Sequence, residues 1–400
     1  MVEQQLTFAD LVKAGDMTFG DGYRTKKSEL GKPGLPILRV AEVHDGAIRP
    51  EFADYVSDAY RAAMGAKVSR WGDIVLTTKG TVGRVTIIPT GSPEFVYSPQ
   101  VCFFRVTEGA RLESKYLHYW FKSSEFWGQA SSRKSQTDMA DYLNLSDIRS
   151  LSITVPDRRQ QHAIVDILGA LDDKIAVNEH TAATVDSLVS SMYKLAVSDE
   201  HAKQVPLGDV AAVNERSVGP APEGSLRYVD ISSVSVGAYE WPERISWSNA
   251  PGRARRKASV GDTIWSTVRP NRRSHALILD DDPELTFSSG LAVLSPRSVG
   301  PALFYEATRT ADFQGYLESV AEGSAYPAVH ANRFKEAPIT LPPHEKWEAF
   351  EKVAMILRLR AHQGVVESRT LARLRDTLLP QLMSGKLRVC DAEKIVEDAL

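Results

Sequence analysis

The stretch ITVPDRRQQHAIVDILGALDDKIAVNEHTAATVDSLVSSMYKLAV, residues 153 to 197, changes its periodicity once, and that change decides the fold. Its first residues alternate as a strand does, and Pro156 closes the run. Asp157 stands where a helix N-cap is expected, and Ile164, Leu168, Leu171 and Ile175 then recur at the spacing of one helix face. Glycine and proline are absent from 157 to 197 apart from Gly169. The pattern predicts one helix of about 40 residues, roughly 60 Å long. A stripe of that length cannot be buried within a domain of ordinary diameter, so the helix needs a partner as long as itself.

The chain supplies one. ITLP at 339 to 342 answers ITVP, and after it Phe350, Val353, Leu357, Leu371, Leu374, Leu378 and Leu382 mark a second long helix, expected to take Pro342-Pro343 into its first turn. The economical reading is that the two helices pack as an antiparallel coiled coil. The alternatives are that each folds back on its own globular part, or joins two copies of the chain. Working outward, the duplication continues. LRVAEVHDG (38 to 46) answers VDISSVSVG (229 to 237), Gly72-Asp73 answers Gly261-Asp262, and Phe126-x-Gly128 answers Phe313-x-Gly315. The offsets at Gly46, Gly72, Phe126 and Ile153 are 191, 189, 187 and 186 positions. Landmarks in one order with a slowly drifting offset indicate a tandem duplication. The expected organisation is a globular unit over 1–156, a helix over 157–200, a second globular unit over 201–342, and a second helix with a tail over 343–400.

Each globular unit reads as α+β. β-Branched runs bounded by glycine, aspartate and proline predict strands at 35–43, 73–77, 84–88 and 100–106, and again near 227–231, 262–267, 275–279 and 291–294. Tyr116, Tyr119, Trp120 and Phe126 fall at helical spacing and are expected in the core, with a second helical segment near 301–320. Irregular alternation argues against a doubly wound parallel sheet.

Composition narrows the class. The 400 residues are 43% hydrophobic and 25% charged, enough for two ordinary cores and unlike a disordered or fibrous chain. Cys102 and Cys390 are the only cysteines, which leaves no disulfide framework or cysteine zinc site. The start MVEQQLTFAD lacks a basic segment followed by an apolar one, and no window approaches ~18 uninterrupted apolar residues, so a soluble cytoplasmic protein without a membrane role is expected. A net charge of −3 gives no global nucleic-acid signature.

Two variable α+β units, each followed by a long helix, with the ending LLPQLMSGKLRV (Leu378 to Val389), resemble the DNA-specificity subunit of type I restriction-modification systems. The resemblance runs over nearly the whole chain. It rests on TFADLVKAGDMTFGDGYRTKK against PLGDVAAVNERSV, the glycine-aspartate turns, the ITVP and ITLP exits and both helices. It implies a non-catalytic subunit whose two units are target-recognition domains, each reading half of an asymmetric bipartite site on double-stranded DNA. The helices would act as a ruler and as the docking surface for two methyltransferase subunits and restriction/translocase subunits. S-adenosylmethionine, ATP and magnesium would belong to those partners, and none to this chain.

Local charge fits a DNA reader, which needs cations for phosphates and forked donors for base edges. Arg253, Arg255, Arg256, Lys257, Arg269, Arg272 and Arg273 place seven cations within twenty-one positions, with Asn271 among them. Thr77, Lys79 and Arg84 occupy the corresponding place in the first unit, and Arg133, Lys134 and Gln136 follow its aromatic helix. The matching loop of the second unit carries Tyr326 with little charge, which favours base-edge or stacking contacts there. For any single arginine the plain alternative is a solvated surface residue.

Enzymatic readings are weaker. Pro156-Asp157 with Asp172-Asp173-Lys174 matches a metal-dependent nuclease pattern, but that chemistry needs the second acid and the lysine on a strand, and here they fall on a helix, as solvated polar positions. No methyltransferase tetrad precedes an aromatic residue, since the only Pro-Pro precedes His344, and glycine-rich cofactor loops and metal-spaced histidines are missing. The competing non-enzymatic reading is a coiled-coil scaffold or adaptor of another defence system.

Overall fold

The computed structural model describes residues 4–49, 51–133, 135–136, 141–219, 223–323 and 327–399. Two compact units emerge, one of Met1–Lys174 with Arg369–Leu400, the other of Ile175–Ser368. The long helices Arg158–Val197 and Trp347–Met383 are therefore not units of their own. Each is divided, its first and last parts serving different cores.

In the first unit the main sheet has four antiparallel strands in the order Met17–Asp21, Val101–Val106, Ile74–Thr77, Val85–Ile87. A smaller sheet pairs Gly34–Leu38 antiparallel with Tyr55–Ser57 and parallel with Val96–Tyr97. Gln4–Thr7 pairs with Ser152–Val155, the strand that ends in ITVP. The second unit repeats the plan. Ala211–Val213, Leu291–Pro296, Thr263–Ser266 and His275–Leu277 form its main sheet, Ser225–Val229 lies parallel to Leu285–Ser288 in its smaller one, and Lys203–Pro206 pairs with Pro338–Leu341. The duplication read from the sequence is a duplication of topology, and the α+β expectation holds.

The glycine-aspartate landmarks mark one turn built twice. Asp73 accepts from the Arg70 backbone N–H at 2.9 Å and Asp262 from the Ser259 N–H at 2.8 Å. Gly72 and Gly261 take positive φ of 81° and 93° and donate to the Ile88 and Ile278 carbonyls, a conformation that favours glycine. Arg105 grips the buried Asp73 through Nε and Nη2 at 2.8 and 2.7 Å, while Arg216 Nη2 meets Asp262 at 2.6 Å. Each turn feeds the strand that leads to the loops discussed below.

The cores confirm the aromatic stripe. Tyr116, Trp120, Phe121 and Phe126 are buried, with Phe8 and Phe104 packed edge-on to Phe121 or tilted against it. Ile164, Leu168 and Leu171 are buried on the first long helix, as are Leu371, Leu378 and Leu382 on the second, in the same unit. In the second unit Val185, Val189 and Tyr193 join Phe350, Ala354, Trp265, Phe304 and Phe313 in one cluster. There the helices run antiparallel: Asn178 meets Glu367, Asp186 meets Arg358 and Tyr193 meets Phe350, one number rising as the other falls.

Helix ends follow local chemistry. Asp157 Oδ1 accepts from the Gln160 N–H at 2.9 Å, the expected N-cap. The second helix starts later than expected: Pro343 stays extended with ψ 141°, His344–Lys346 form a 3-10 turn, and the α-helix begins at Trp347. Trp347 Nε1 donates to the Pro342 carbonyl at 2.7 Å, which fastens that turn. After Gly385 a further helix, Val389–Ala399, follows, where only a tail was expected.

Candidate nucleic-acid interface

In each unit the hairpin that follows the glycine-aspartate turn ends in a loop, and a second loop pairs with it. In the first unit Thr78 O accepts from the Leu143 N–H at 3.0 Å, and Lys79 bridges Tyr142. In the second, Thr267 O accepts from the Val329 N–H at 2.8 Å, and Val268 bridges Ala328. The same backbone frame thus joins the loop after the hairpin strand to the loop after the helical segment. The sequence predicted both loops at equivalent places.

The side chains on that frame differ. In the first unit Lys79 is exposed. Thr77 and Arg84, expected beside it on DNA, are turned to other work. Thr77 is fully buried and its Oγ1 accepts from the Arg84 N–H at 3.0 Å, while Arg84 Nη1 donates to the Val43 carbonyl at 3.2 Å. The Arg133 guanidinium donates to Ser150 Oγ at 3.0 Å and Gln129 O at 3.1 Å, tying its helix to the next segment. Gln136 sits in the short strand Ser135–Gln136, paired with Asp141–Tyr142. Lys134 and Tyr326 lie outside the described residues.

In the second unit the loop carries a short 3-10 turn, Pro270–Arg272, between two left-handed arginines, Arg269 with φ 52° and Arg273 with φ 55°. Such backbone is uncommon for a residue with a side chain and persists where the surroundings hold it. Here the Arg269 N–H donates to Pro327 O at 2.8 Å, and Arg273 Nη2 donates to Arg309 O at 3.0 Å. Arg273 thus ties the loop to the helical segment, and Arg269 is half-buried. Asn271 and Arg272 are left exposed at the apex.

The 253–257 cluster lies on a different sheet. Ala254–Arg256 is an edge strand of the smaller sheet, bulged against Leu285–Ser288. Lys257 is drawn inward, Nζ donating to the Pro283 and Leu285 carbonyls at 2.6 and 2.8 Å, and burial lowers its pKa from the usual lysine value. Its ammonium faces these carbonyls, where a place on DNA was expected. Arg255 Nη1 donates to the neighbouring Ala254 carbonyl, Arg256 is half-buried, and Arg253 is exposed. The run of seven cations in sequence is divided between an edge strand of the smaller sheet and a loop of the main sheet.

Trp127 was not anticipated. It stands 37% exposed beside the first unit's loop, and its ring covers Gly83, whose φ is +102°. Adjacent Phe126 and Trp127 cannot both face the core of one helix, and that adjacency was the available signal. The nuclease-like trio is also resolved: Asp172 is not a solvated residue, since it accepts from Arg375 Nη1 at 2.6 Å and from the Tyr119 hydroxyl at 2.8 Å. Burial raises its carboxyl, but those hydrogen bonds outweigh it and hold the group below its ordinary value. No helix among the described residues is long and apolar enough to cross a membrane.

Comparison with known proteins places this geometry. Residues 12–186 match the family described as type I restriction modification DNA specificity domain. A protein of Methanocaldococcus jannaschii named as the type I restriction enzyme MjaX specificity subunit is 20% identical over 406 aligned positions, covering 91% of this chain and 90% of that one. A crystal structure of a type I restriction-modification S subunit from M. genitalium shares the fold with a TM-score of 0.56 at 15% identity, over 96% of both chains. The matched region runs from the first helix of the first unit to residue 186 of the first long helix, and the second unit repeats the strand order of the main sheet. Residues 12–186 thus match the type I restriction modification DNA specificity domain, and nearly the whole chain is similar to a protein named as a type I restriction enzyme specificity subunit.

Proposed function

We propose that this chain is the non-catalytic recognition subunit of such a complex, its two units reading the unlike halves of an asymmetric bipartite site on double-stranded DNA. The observation that carries the reading is the loop frame built twice with different side chains. Lys79 projects from the first unit's frame, Asn271 and Arg272 from the second's. A guanidinium and a carboxamide are the side chains that bond guanine and adenine edges in pairs, and an ammonium suits a phosphate.

The long helices would set the spacing of the half-sites and carry two methyltransferase subunits, with restriction/translocase subunits in the full assembly. Val177, Leu188 and Leu195 are 59%, 48% and 76% exposed on the first helix, and Val353 and Ile356 are 47% and 62% exposed on the second, all within one unit. Apolar side chains left out of a helix pair favour a protein partner. S-adenosylmethionine, ATP and magnesium chemistry is assigned to those partners.

The test is co-purification with a methyltransferase subunit, followed by mapping of methylated adenines. Two half-sites with a fixed gap are expected, and insertion of whole turns at Ala183 should change the gap alone. A single contiguous motif, or an unchanged gap, overturns the reading.

A further inference from the structure

The two long helices are sorted by charge. Between Asp166 and Asp186 the first holds Asp166, Asp172, Asp173, Glu179 and Asp186 against Lys174 alone. Between Val353 and Arg375 the second holds Arg358, Arg360, Arg369, Arg373 and Arg375 against Glu367 alone. Opposite composition would mean little if these groups were all solvated, but each unit seats one pair of them at its helix contact.

In the first unit Asp172 pairs with Arg375 at 2.6 Å, and the Tyr119 hydroxyl completes the site. In the second, Arg358 meets Asp186 at 3.3 Å and also pairs with the buried Glu306, over the ring of Tyr305. Tyr119 and Tyr305 correspond at the offset of 186 positions that relates Ile153 to Ile339, and so do Asp172 and Arg358. Equivalent positions of the two copies thus carry opposite charge. In both sites the first helix supplies the acid and the second the base.

Size is sorted too. Asn178 and Gly364 are equivalent at the same offset, and they touch: a Cβ on Gly364 would come within 3.3 Å of Asn178 Cγ. Asn178 fills that space and donates from Nδ2 to Glu367 at 2.9 Å.

We infer that each long helix accepts only the unlike helix, so that the halves of this chain pair with each other and not with a second copy of themselves. Two first helices set antiparallel in this register bring Asp172 of each within a turn of Asp186 of the other, and Asn178 against Asn178. Two second helices bring Arg358 toward Arg375 and leave a void between glycines. Like charges in a half-dry contact repel, and the unlike pairing removes that cost while filling the notch.

The test uses the whole chain, folded first, with a protease site inserted between the exposed Glu200 and His201 and then cut. Native mass spectrometry of this material, mixed with an isotope-labelled copy, is expected to show pairs of unlike halves only. Like-with-like pairs in their statistical share overturn the inference. A second arm does not depend on exchange: R375D should weaken the association of the cut halves about tenfold or more, and D172R added to R375D should restore most of it. R375D halves that hold as tightly as the parent, or a double variant no tighter than R375D, count equally against it. Should R375D alone fail to fold, recovery of folding and pairing by the double variant supports the inference, and failure of both refutes it.

Discussion

Asp186 of the first long helix accepts two parallel hydrogen bonds from Arg309, Nη1 to Oδ1 and Nη2 to Oδ2, each 2.7 Å long. The fork also reaches Glu306 at 3.1 Å, and its guanidinium lies 5.0 Å from the centre of the buried Tyr305 ring. Burial raises the Asp186 carboxyl, but the hydrogen bond and charge of Arg309 outweigh it, so the group stays ionised below the ordinary range. Removing the charge leaves two arginines short of an acceptor. Asp186→Asn is expected to cost about 1–2 kcal/mol in urea unfolding, less than a fully buried pair because Asp186 is 41% exposed. An unchanged midpoint would show that the network contributes nothing net.

The loop assignments separate cations that face outward from cations that hold the fold. Arg272→Ala is expected to weaken DNA binding and reduce the salt slope by about 1, measured by titration at several ionic strengths. Lys257→Ala should leave that slope alone and lower thermal stability, because its ammonium caps the carbonyls of Pro283 and Leu285. The reverse outcome would exchange their roles.

Acid should loosen both units. His275 is fully buried on Trp265, and burial, with the positive charges of Arg309 and Arg273 nearby, lowers its pKa to about 3. His118 in the first unit is lowered to about 3 in the same way, by burial and then by Lys122. As pH falls below the ordinary histidine value, the unfolded chain takes up these protons and the folded chain does not. Stability is therefore complete above about pH 6.5 and falls toward pH 3, by up to about 1.4 kcal/mol per pH unit for each ring. His275→Phe should flatten the pH dependence of the unfolding free energy. An equally steep profile would assign the acid sensitivity elsewhere.

Gly83 gives a steric test. Its φ of +102° and the Trp127 ring above it leave no room for a Cβ, so Gly83→Ala is expected to cost about 1–3 kcal/mol. Trp127→Ala in the same chain should recover the steric part only. A neutral Gly83→Ala would mean that the loop yields freely.

What was legible in the sequence was local. The Asp157 cap, the glycine-aspartate turns, the aromatic stripe and the order of both copies depend on neighbours a few residues away, and all appear where expected. The direction a cation faces was not legible. Arg84 points inward because Val40 and Val43 present carbonyls to it, and Lys257 because Pro283 and Leu285 do. Those acceptors arrive from turns and strands distant in sequence, and no spacing rule carries them. Asp172 was misread for the same reason, since Arg375, its partner, lies two hundred and three residues onward.

The division of the long helices has a consequence in time. The first unit takes in Arg369–Leu400, so the buried Leu371, Leu378 and Leu382 that line its core do not exist while its sheets are being synthesised. A chain emerging from the ribosome N-terminus first can complete the second unit before the first, although its strands are made later. Until then the core that holds Ile164, Leu168 and Leu171 lacks Leu371, Leu378 and Leu382. The last part of the first unit is thereby made after the whole of the second, and a nascent chain halted before residue 369 would leave that core unfinished and open to whatever binds incomplete proteins.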